Sequence, residues 1–250
     1  MTERVEAPAP DAKLGSGQMF DAIAARYDFV NRVLSLGLDQ GWRRRTVREL
    51  QLGDKPRVLD VATGTGDLAI AIAKARPGAT VIGLDPSAKM LAIAAAKVAR
   101  RGLGERITLE QGDAQALPYA DCSLDAATIA FGIRNVPDRG LGLRELARVV
   151  RPGGRVAVLE LGEPKRGLFA SAARFHTHKV VPRLGALLSG AREYRYLQTS
   201  VAAFPPADEF AALMRASGLD VVAVIPLTFG ACTLYVATPP EDQRARPEAA

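Results

Sequence analysis

Cysteine and histidine are scarce in this 250-residue chain, which contains two of each. Cys122 and Cys232 each lie in an apolar stretch, so a disulfide framework is not expected and a reducing cytoplasm is the natural compartment. The histidines, His176 and His178, stand two residues apart and would point in different directions on a helix. No metal site is therefore predicted.

Long hydrophobic runs are also lacking. No run approaches the roughly 18 apolar residues that span a bilayer, and residues 1–16 contain acids and prolines without the apolar core of a signal peptide. Any contact with a membrane is therefore expected at its surface. The net charge of +6 suits an anionic partner, such as nucleic acid or lipid head groups, but also an ordinary solvated surface.

Composition and periodicity divide the chain into tails and one domain. Residues 1–16 and 239–250 are rich in proline, alanine and charge, and are predicted to be disordered tails. Apolar residues recur at three- and four-residue steps in 18–36, which predicts an amphipathic helix. A second helical stretch with Trp42 and a basic run follows the break at 37–41. Residues 17–238 are interpreted as a single domain.

From residue 57 onward, short apolar runs alternate with helical patterns, which predicts a parallel sheet covered by helices. Five predicted strands cover 57–62, 80–85, 107–111, 124–131 and 155–161. Two further runs, 221–227 and 231–238, are separated by three residues and predict an antiparallel hairpin. A mostly parallel seven-stranded α/β sheet that ends in such a hairpin is typical of Rossmann-like class I methyltransferases.

A glycine motif follows the first predicted strand and opens a helix: Asp60-Val-Ala-Thr-Gly64-Thr65-Gly66-Asp67. Its glycines allow a sharp turn and a close approach of the backbone to a ligand. Asp85 ends the second strand, where a carboxylate can accept hydrogen bonds from both ribose hydroxyls of an adenosine. Asp113 and Ala114, after the third strand, would reach the adenine end.

The same glycines also match the fingerprint of dinucleotide sites, and charge distinguishes the two alternatives. A dinucleotide would bring a pyrophosphate to the helix N-terminus, where the Asp67 carboxylate repels it. S-adenosylmethionine carries a sulfonium and an ammonium, which Asp60 and Asp67 would attract. This favours S-adenosylmethionine as the cofactor, although Asp67 as a helix N-cap would suit either ligand.

The chain resembles the ubiquinone/menaquinone biosynthesis C-methyltransferases from about residue 18 to 238. Two strings are more specific than the glycine motif: one runs from Phe20 through Tyr27, Asp28, Asn31 and Ser35 to Trp42, and the other is Phe131-Gly-Ile-Arg134-Asn135-Val136. The segment at 148–156 and Glu160 add to them. Two positions depart from the family pattern. Asp39 stands where the family usually has a histidine. Ala130 stands where many members have a serine, and this second change puts one side-chain contact to the cofactor in doubt.

The resemblance implies methyl transfer from S-adenosylmethionine to a ring carbon of a polyprenylated quinol. The product would be menaquinol from demethylmenaquinol, the 3-methyl product of 2-methoxy-6-polyprenyl-benzoquinol, or both. Cofactor contacts implied by the family are Thr65, Asp85, Asp113 and Ala114. Other acceptors, including a sterol, a polar metabolite or RNA, and a non-catalytic cofactor-binding module remain alternatives, although no RNA-binding motif is visible.

A quinol carbon becomes nucleophilic when the neighbouring hydroxyl loses its proton, so the enzyme must stabilise an oxyanion. Arg134 and Asn135 follow the fourth strand, at the edge where ligands bind in such folds. Arg134 would stabilise charge, Asn135 would orient a quinol oxygen and Tyr27 would close the site. A surface turn for the first two and core packing for Tyr27 are the alternatives. The proton acceptor stays open among Asp28, the histidines and water.

Residues 163–204 form a predicted helical lid between the fifth strand and the Pro205-Pro206 break. This insertion has seven lysines and arginines against two acids, with large apolar residues among them. Such a stretch can cover the site, accept a prenyl chain and touch anionic lipid, or it can be a solvated basic face. The expected location is the cytoplasm, with transient association with the inner face of the membrane. Homo-oligomerisation stays open.

Overall fold

The computed structural model describes Arg32, Ser35 and residues 37–162 and 199–241. This part of the chain forms a seven-stranded sheet in the order β3-β2-β1-β4-β5-β7-β6. The strands are β1 (Arg57–Val61), β2 (Thr80–Asp85), β3 (Ile107–Gln111), β4 (Leu124–Ala130), β5 (Val150–Leu161), β6 (Asp220–Leu227) and β7 (Cys232–Thr238). The helices are α1 (Asp39–Glu49), α2 (Asp67–Ala75), α3 (Ala88–Arg100), α4 (Arg139–Val149) and α5 (Ala207–Ala216).

The first five strands pair in parallel, and the chain closes with an antiparallel hairpin of β6 and β7 whose second strand pairs with β5. The predicted α/β class I methyltransferase sheet and its C-terminal hairpin are therefore confirmed. Because parallel strands end at the same edge, the segments that follow β1, β2, β3 and β4 meet there. The hairpin turn Thr228–Gly230 lies at this edge too, since Cys232 is paired with Leu161 at the end of β5.

One strand begins earlier than the sequence predicts. Val150 already pairs with Leu124, and the pairing then shifts so that Arg155 lies opposite Ala126. The Arg-Pro-Gly-Gly segment between them is a bulge within β5 and not a separate turn. Proline and glycine interrupt the alternation of apolar residues, which is why the pattern placed the strand start at 155.

The two faces of the sheet carry separate cores, because neighbouring residues of a strand point in opposite directions. Leu59 faces a core with residues of α4 and α5, such as Leu143 and Phe210. Val58 faces a second core built from α1, α2 and the end of α3, to which Trp42 belongs. Helices on both faces, as predicted, leave the carboxyl edge of the strands for ligands.

Several predictions fall outside the described residues: the tail 1–16, most of the helix at 18–36, residues 163–198 of the lid and the end of the tail at 239–250. Pro206 caps α5 at its N-terminus, as expected from the proline break. None of the described helices is long and apolar enough to cross a membrane. The described residues also contain no group of three potential metal ligands.

Candidate active site

The glycine motif forms a tight loop between β1 and α2. Gly64 and Gly66 have φ values of 56° and 80°, in the left-handed region that favours glycine. A Cβ atom at Gly66 would lie 3.2 Å from the Cβ of Ala94, so α3 packs directly against the loop. At Gly64 a Cβ would meet no described atom within 4 Å. The loop backbone is thus supported on one side and accessible to a ligand on the other.

Asp85 ties the end of β2 to this loop. Its Oδ2 accepts a hydrogen bond from the Gly64 N–H at 2.8 Å, and its Oδ1 accepts one from the Ser87 N–H at 2.8 Å. The Ser87 side chain in turn caps α3 by accepting from the Met90 N–H. The carboxylate predicted to bind ribose is therefore held beside the glycine loop, as expected from its position at the end of the second strand.

Asp60 lies beneath the loop with 1% of its surface exposed. Its carboxylate accepts hydrogen bonds from the Thr63 and Thr128 hydroxyls, at 2.6 and 2.7 Å. Burial raises its pKa from 3.8 to about 6, against the lowering effects of these two hydrogen bonds and of the Arg43 charge. The group is still mostly ionised at neutral pH, so it can complement a positively charged ligand.

Asp67 and Thr65 both contact one buried lysine, which the sequence did not indicate. Lys97 of α3 is 6% exposed; its Nζ donates to the Thr65 Oγ1 at 3.0 Å and contacts the Asp67 carboxylate. Gly66, and not Asp67, is the N-cap of α2. Because Lys97 offsets the charge of Asp67, the charge argument against a pyrophosphate at this site depends on Asp60.

Asp113 and Ala114 lie after β3, at the same edge. The Asp113 Oδ1 accepts a hydrogen bond from the Gln115 N–H at 2.9 Å, and the Gln115 amide contacts both carboxylate oxygens. The Gln115 side-chain oxygen accepts from the Asp138 N–H at the start of α4. The Ala114 methyl packs into the core, so a ligand would meet the backbone at this position.

Arg134 and Asn135 belong to a short 3-10 turn that follows β4. The Arg134 Nη1 lies 2.5 Å from the Oε1 of Glu160, a fully buried residue, and the Arg134 N–H donates to the other carboxylate oxygen at 3.3 Å. Asn135 is half-buried and its N–H donates to the Gly132 carbonyl. The guanidinium is held by a specific carboxylate, so this turn is more than a solvated surface turn.

Helix α1 packs against the residue that leads into this turn. The Trp42 ring lies 6.2 Å from the Phe131 ring, and the Arg43 guanidinium lies 5.3 Å from its centroid. The Trp42 Nε1 donates to the Thr228 hydroxyl at 2.8 Å, which joins α1 to the β6–β7 turn. Asp39, the departure from the family pattern, lies 3.7 Å from Arg43. Tyr27 lies outside the described residues, so its role stays a prediction.

Three contributors were missed by reasoning from the sequence: Lys97, Arg43 and Gln115. Each is a long polar side chain in a helical or loop segment, where solvent exposure is the usual outcome. For Lys97 a hint exists, because it follows Ala94 and precedes Val98 on the buried side of α3. Glu160 was noticed only through the resemblance, although a single acid inside an apolar strand is itself a sign of a buried partner.

The arrangement fits S-adenosylmethionine. The accessible backbone at Gly64, the buried anion Asp60 and the carboxylate of Asp85 are suited to a cationic amino acid joined to an adenosine. Lys97, which reaches the loop, is paired with Asp67, so its positive charge is already offset and would not compensate a pyrophosphate. These residues therefore satisfy the main requirements of the predicted cofactor.

Comparisons with known proteins agree with this assignment. Residues 9–239 match the model of the ubiE/COQ5 methyltransferase family. The ubiquinone/menaquinone biosynthesis C-methyltransferase UbiE of Syntrophotalea carbinolica is 48% identical over 87% of this chain and 91% of its own length. The demethylmenaquinone methyltransferase of Thermus thermophilus is 48% identical over 89% of this chain and 100% of its own.

Solved structures share the fold at lower identity. The [4+2]-cyclase SpnF has a TM-score of 0.66 at 19% identity, covering 90% of this chain and 94% of its own. A SAM-dependent methyltransferase from Aquifex aeolicus has a TM-score of 0.58 at 19% identity, covering 78% and 88%. A shared fold alone does not define a reaction, but the family match does: the chain belongs to the ubiE/COQ5 methyltransferase family and is a methyltransferase whose cofactor is S-adenosylmethionine.

Proposed function

We propose that this protein transfers the methyl group of S-adenosylmethionine to a ring carbon of a polyprenylated quinol in respiratory quinone biosynthesis. The acceptor is demethylmenaquinol, 2-methoxy-6-polyprenyl-benzoquinol or both. The names of the relatives support the quinol as the substrate class. The observation that carries the proposal is the meeting of the glycine loop, Asp85 and the Arg134–Asn135 turn at one edge of the sheet.

Cofactor binding is assigned to the segments after the first three strands. The backbone of Gly64, Thr65 and Gly66 forms the methionine side of the site, and Asp85 binds the ribose hydroxyls. Asp113 and the backbone of Ala114 border the adenine, while ionised Asp60 complements the positive charge. When bound, S-adenosylmethionine supplies an electrophilic methyl group on its sulfonium.

The acceptor side is assigned to Arg134, Asn135 and Tyr27. An arginine is charged at any physiological pH, so Arg134 stabilises the quinol oxyanion and does not remove its proton. Glu160 holds the guanidinium through the 2.5 Å contact and thereby orients it before substrate binds. Asn135 orients a quinol oxygen, and Tyr27 covers the ring and excludes water.

A turnover assay with the two candidate quinols tests this function. Purified protein is incubated with methyl-deuterated S-adenosylmethionine and either demethylmenaquinol or 2-methoxy-6-polyprenyl-benzoquinol. The products are identified by mass spectrometry. At least one quinol should gain a single labelled methyl group on carbon. Failure to methylate either quinol, or methylation of a quinol oxygen in place of a ring carbon, would overturn the proposal.

We further propose that residues 163–204 form a lid that docks transiently to the inner face of the membrane. The prenyl tail of the substrate partitions into the bilayer, so the enzyme must reach the ring there. The segment has seven lysines and arginines and two acids, and each cation near anionic lipid contributes about 1 kcal/mol before screening by salt. The basic charge therefore favours membrane docking.

Neutralising Arg174, Lys179 and Arg183 together should weaken co-sedimentation with anionic vesicles at low salt. Activity on a long-chain quinol in membranes should fall, and activity on a short-chain analogue in solution should survive. Equal losses on both substrates, or unchanged vesicle binding, would contradict the docking role.

A matched control removes the same charge elsewhere. Lys55, Lys74 and Arg76 are exposed cations near the opposite end of the strands or on α2, and their replacement by glutamine lowers the net charge equally. This variant should keep both vesicle binding and activity close to the wild type.

A further inference from the structure

A buried lysine links helix α3 to the glycine loop. Lys97 is 6% exposed, and its Nζ donates to the Thr65 Oγ1 at 3.0 Å and contacts the Asp67 carboxylate. A lysine is rarely buried unless its charge is paired. Here Lys97 contacts Thr65, which lies 32 positions away in sequence, and Asp67, which lies 30 positions away.

Helix α3 is fixed at two points that both belong to the cofactor site. At its N-terminus, the Ser87 N–H donates to Asp85 and its hydroxyl caps the helix. Ten residues later, about 15 Å along the axis, Lys97 reaches Thr65. Between these points Ala94 supports the loop, since a Cβ at Gly66 would lie 3.2 Å from the Ala94 Cβ. The helix therefore sets the spacing between the ribose side and the methionine side of the site.

We propose that Lys97 is a positioning residue for the cofactor: its ammonium holds the Thr65 hydroxyl and offsets the Asp67 charge, so that the glycine loop is pre-organised for the methionine end of S-adenosylmethionine. Pre-organisation raises affinity because the ordering cost of the loop is met before binding. The inference builds on the proposed role of Thr65 and extends it to a residue on another helix.

Two effects of removing Lys97 act in opposite directions and can be separated. Loss of the hydrogen bond loosens Thr65 and weakens binding of any ligand with this skeleton. Loss of the positive charge leaves Asp67 as an anion near the loop. This anion attracts S-adenosylmethionine more strongly than its product S-adenosylhomocysteine, which keeps the ammonium but has a neutral sulfur. A positioning role therefore predicts weaker binding of both ligands, whereas a purely electrostatic role predicts weaker binding of neither.

Calorimetric titration of folded proteins with S-adenosylmethionine and S-adenosylhomocysteine tests the proposal. Lys97→Met should raise the Kd of S-adenosylhomocysteine about tenfold, the scale of one lost charge-assisted hydrogen bond. The Kd of S-adenosylmethionine should rise by a smaller factor, because the Asp67 anion attracts the sulfonium. Thr65→Val should raise both Kd values by a similar factor, and the combined variant should bind no more weakly than the weaker single variant. Lys74→Met, which changes an exposed lysine of α2, should leave both Kd values unchanged.

A second variant covers the case in which Lys97→Met fails to fold because Asp67 loses its counter-ion. Asp67→Asn combined with Lys97→Met leaves no unpaired charge, and it should still bind both ligands about tenfold more weakly. Wild-type affinity in this variant, or additive losses for Lys97→Met and Thr65→Val, would overturn the positioning role. Failure of the wild-type protein to bind either ligand would instead overturn the proposed function.

Discussion

Titration of Asp60 should make the free energy of unfolding depend on pH, and replacement of Asp60 by asparagine should remove this dependence. Burial raises the pKa of Asp60 from 3.8 to about 6 in the folded protein, so the folded state binds this proton more tightly than the unfolded state. The resulting stabilisation is fully present below pH 3.8 and is lost as the pH rises through about 6. Its full size is about 3 kcal/mol, from about two pKa units at 1.36 kcal/mol each.

Between pH 7.5 and pH 5 the same linkage gives a gain of about 1.4 kcal/mol. Urea unfolding of the cofactor-free wild type and of Asp60→Asn, at pH 5, 6 and 7.5, measures it directly. The amide keeps an acceptor and a donor for the Thr63 and Thr128 hydroxyls but does not titrate. The unfolding free energy of the wild type should therefore rise by about 1.4 kcal/mol relative to the variant as the pH falls.

Asp125 provides a control with the opposite sign. Burial is the largest single effect and raises its pKa, but hydrogen bonds from the Arg57 N–H and the Arg151 guanidinium, together with the charges of both arginines, outweigh burial and lower the pKa. Both states of the chain keep this carboxylate ionised between pH 7.5 and 5, so Asp125→Asn should follow the wild type over that range. Parallel curves for wild type and Asp60→Asn would refute the assignment of the raised pKa to Asp60.

The remaining predictions concern the site itself. Asp85→Ala should weaken S-adenosylmethionine binding by about 1.5–3 kcal/mol, because charge-assisted hydrogen bonds are lost; unchanged affinity in a calorimetric titration of a folded variant would reject the ribose role. Arg134→Ala should lower kcat roughly 100-fold with little change in cofactor Kd, as expected for a group that stabilises developing charge, and a steady-state assay with near-normal kcat would leave it structural. Glu160→Gln removes one partner of a buried ion pair and should cost about 3–5 kcal/mol of stability, measured by urea unfolding; a loss below 1 kcal/mol would mean that the pair is not isolated from water.

The sheet was predictable because its central strands are buried on both faces and therefore read as continuous apolar runs. The glycine loop and Asp85 were predictable because their positions depend only on local turns and on where strands end. The start of β5 was not predictable in this way, because a bulge with proline and glycine looks like a loop in sequence. In each of these cases, the outcome depended on whether local sequence alone determines the backbone.

The ion pairs of the site lie beyond such reasoning. Arg134 and Glu160 are 26 residues apart, and Lys97 and Asp67 are 30 apart. The first pair depends on β4 lying beside β5 in the sheet, and the second depends on how α3 packs against the glycine loop. For the same reason the sequence assigned Asp67 a direct attraction to the cofactor. The contact between Asp67 and Lys97 requires α3 to pack on the glycine loop through Ala94 and Gly66, which the sequence does not indicate.

The packing of α1 offers a reason why the two most specific strings of the sequence occur together. Trp42 ends the first string and Phe131 begins the second, and their rings are 6.2 Å apart. The cofactor loop is built from segments after β1 to β3, whereas this contact supports the turn after β4 that carries Arg134. A change in α1 would therefore disturb this turn, since Trp42 is joined to both Phe131 and the Thr228 turn. It would also reach Asp60, whose pKa the charge of Arg43 lowers. The glycine motif is suited to a cofactor that many methyltransferases share, whereas the contact between Trp42 and Phe131 supports the turn that carries Arg134.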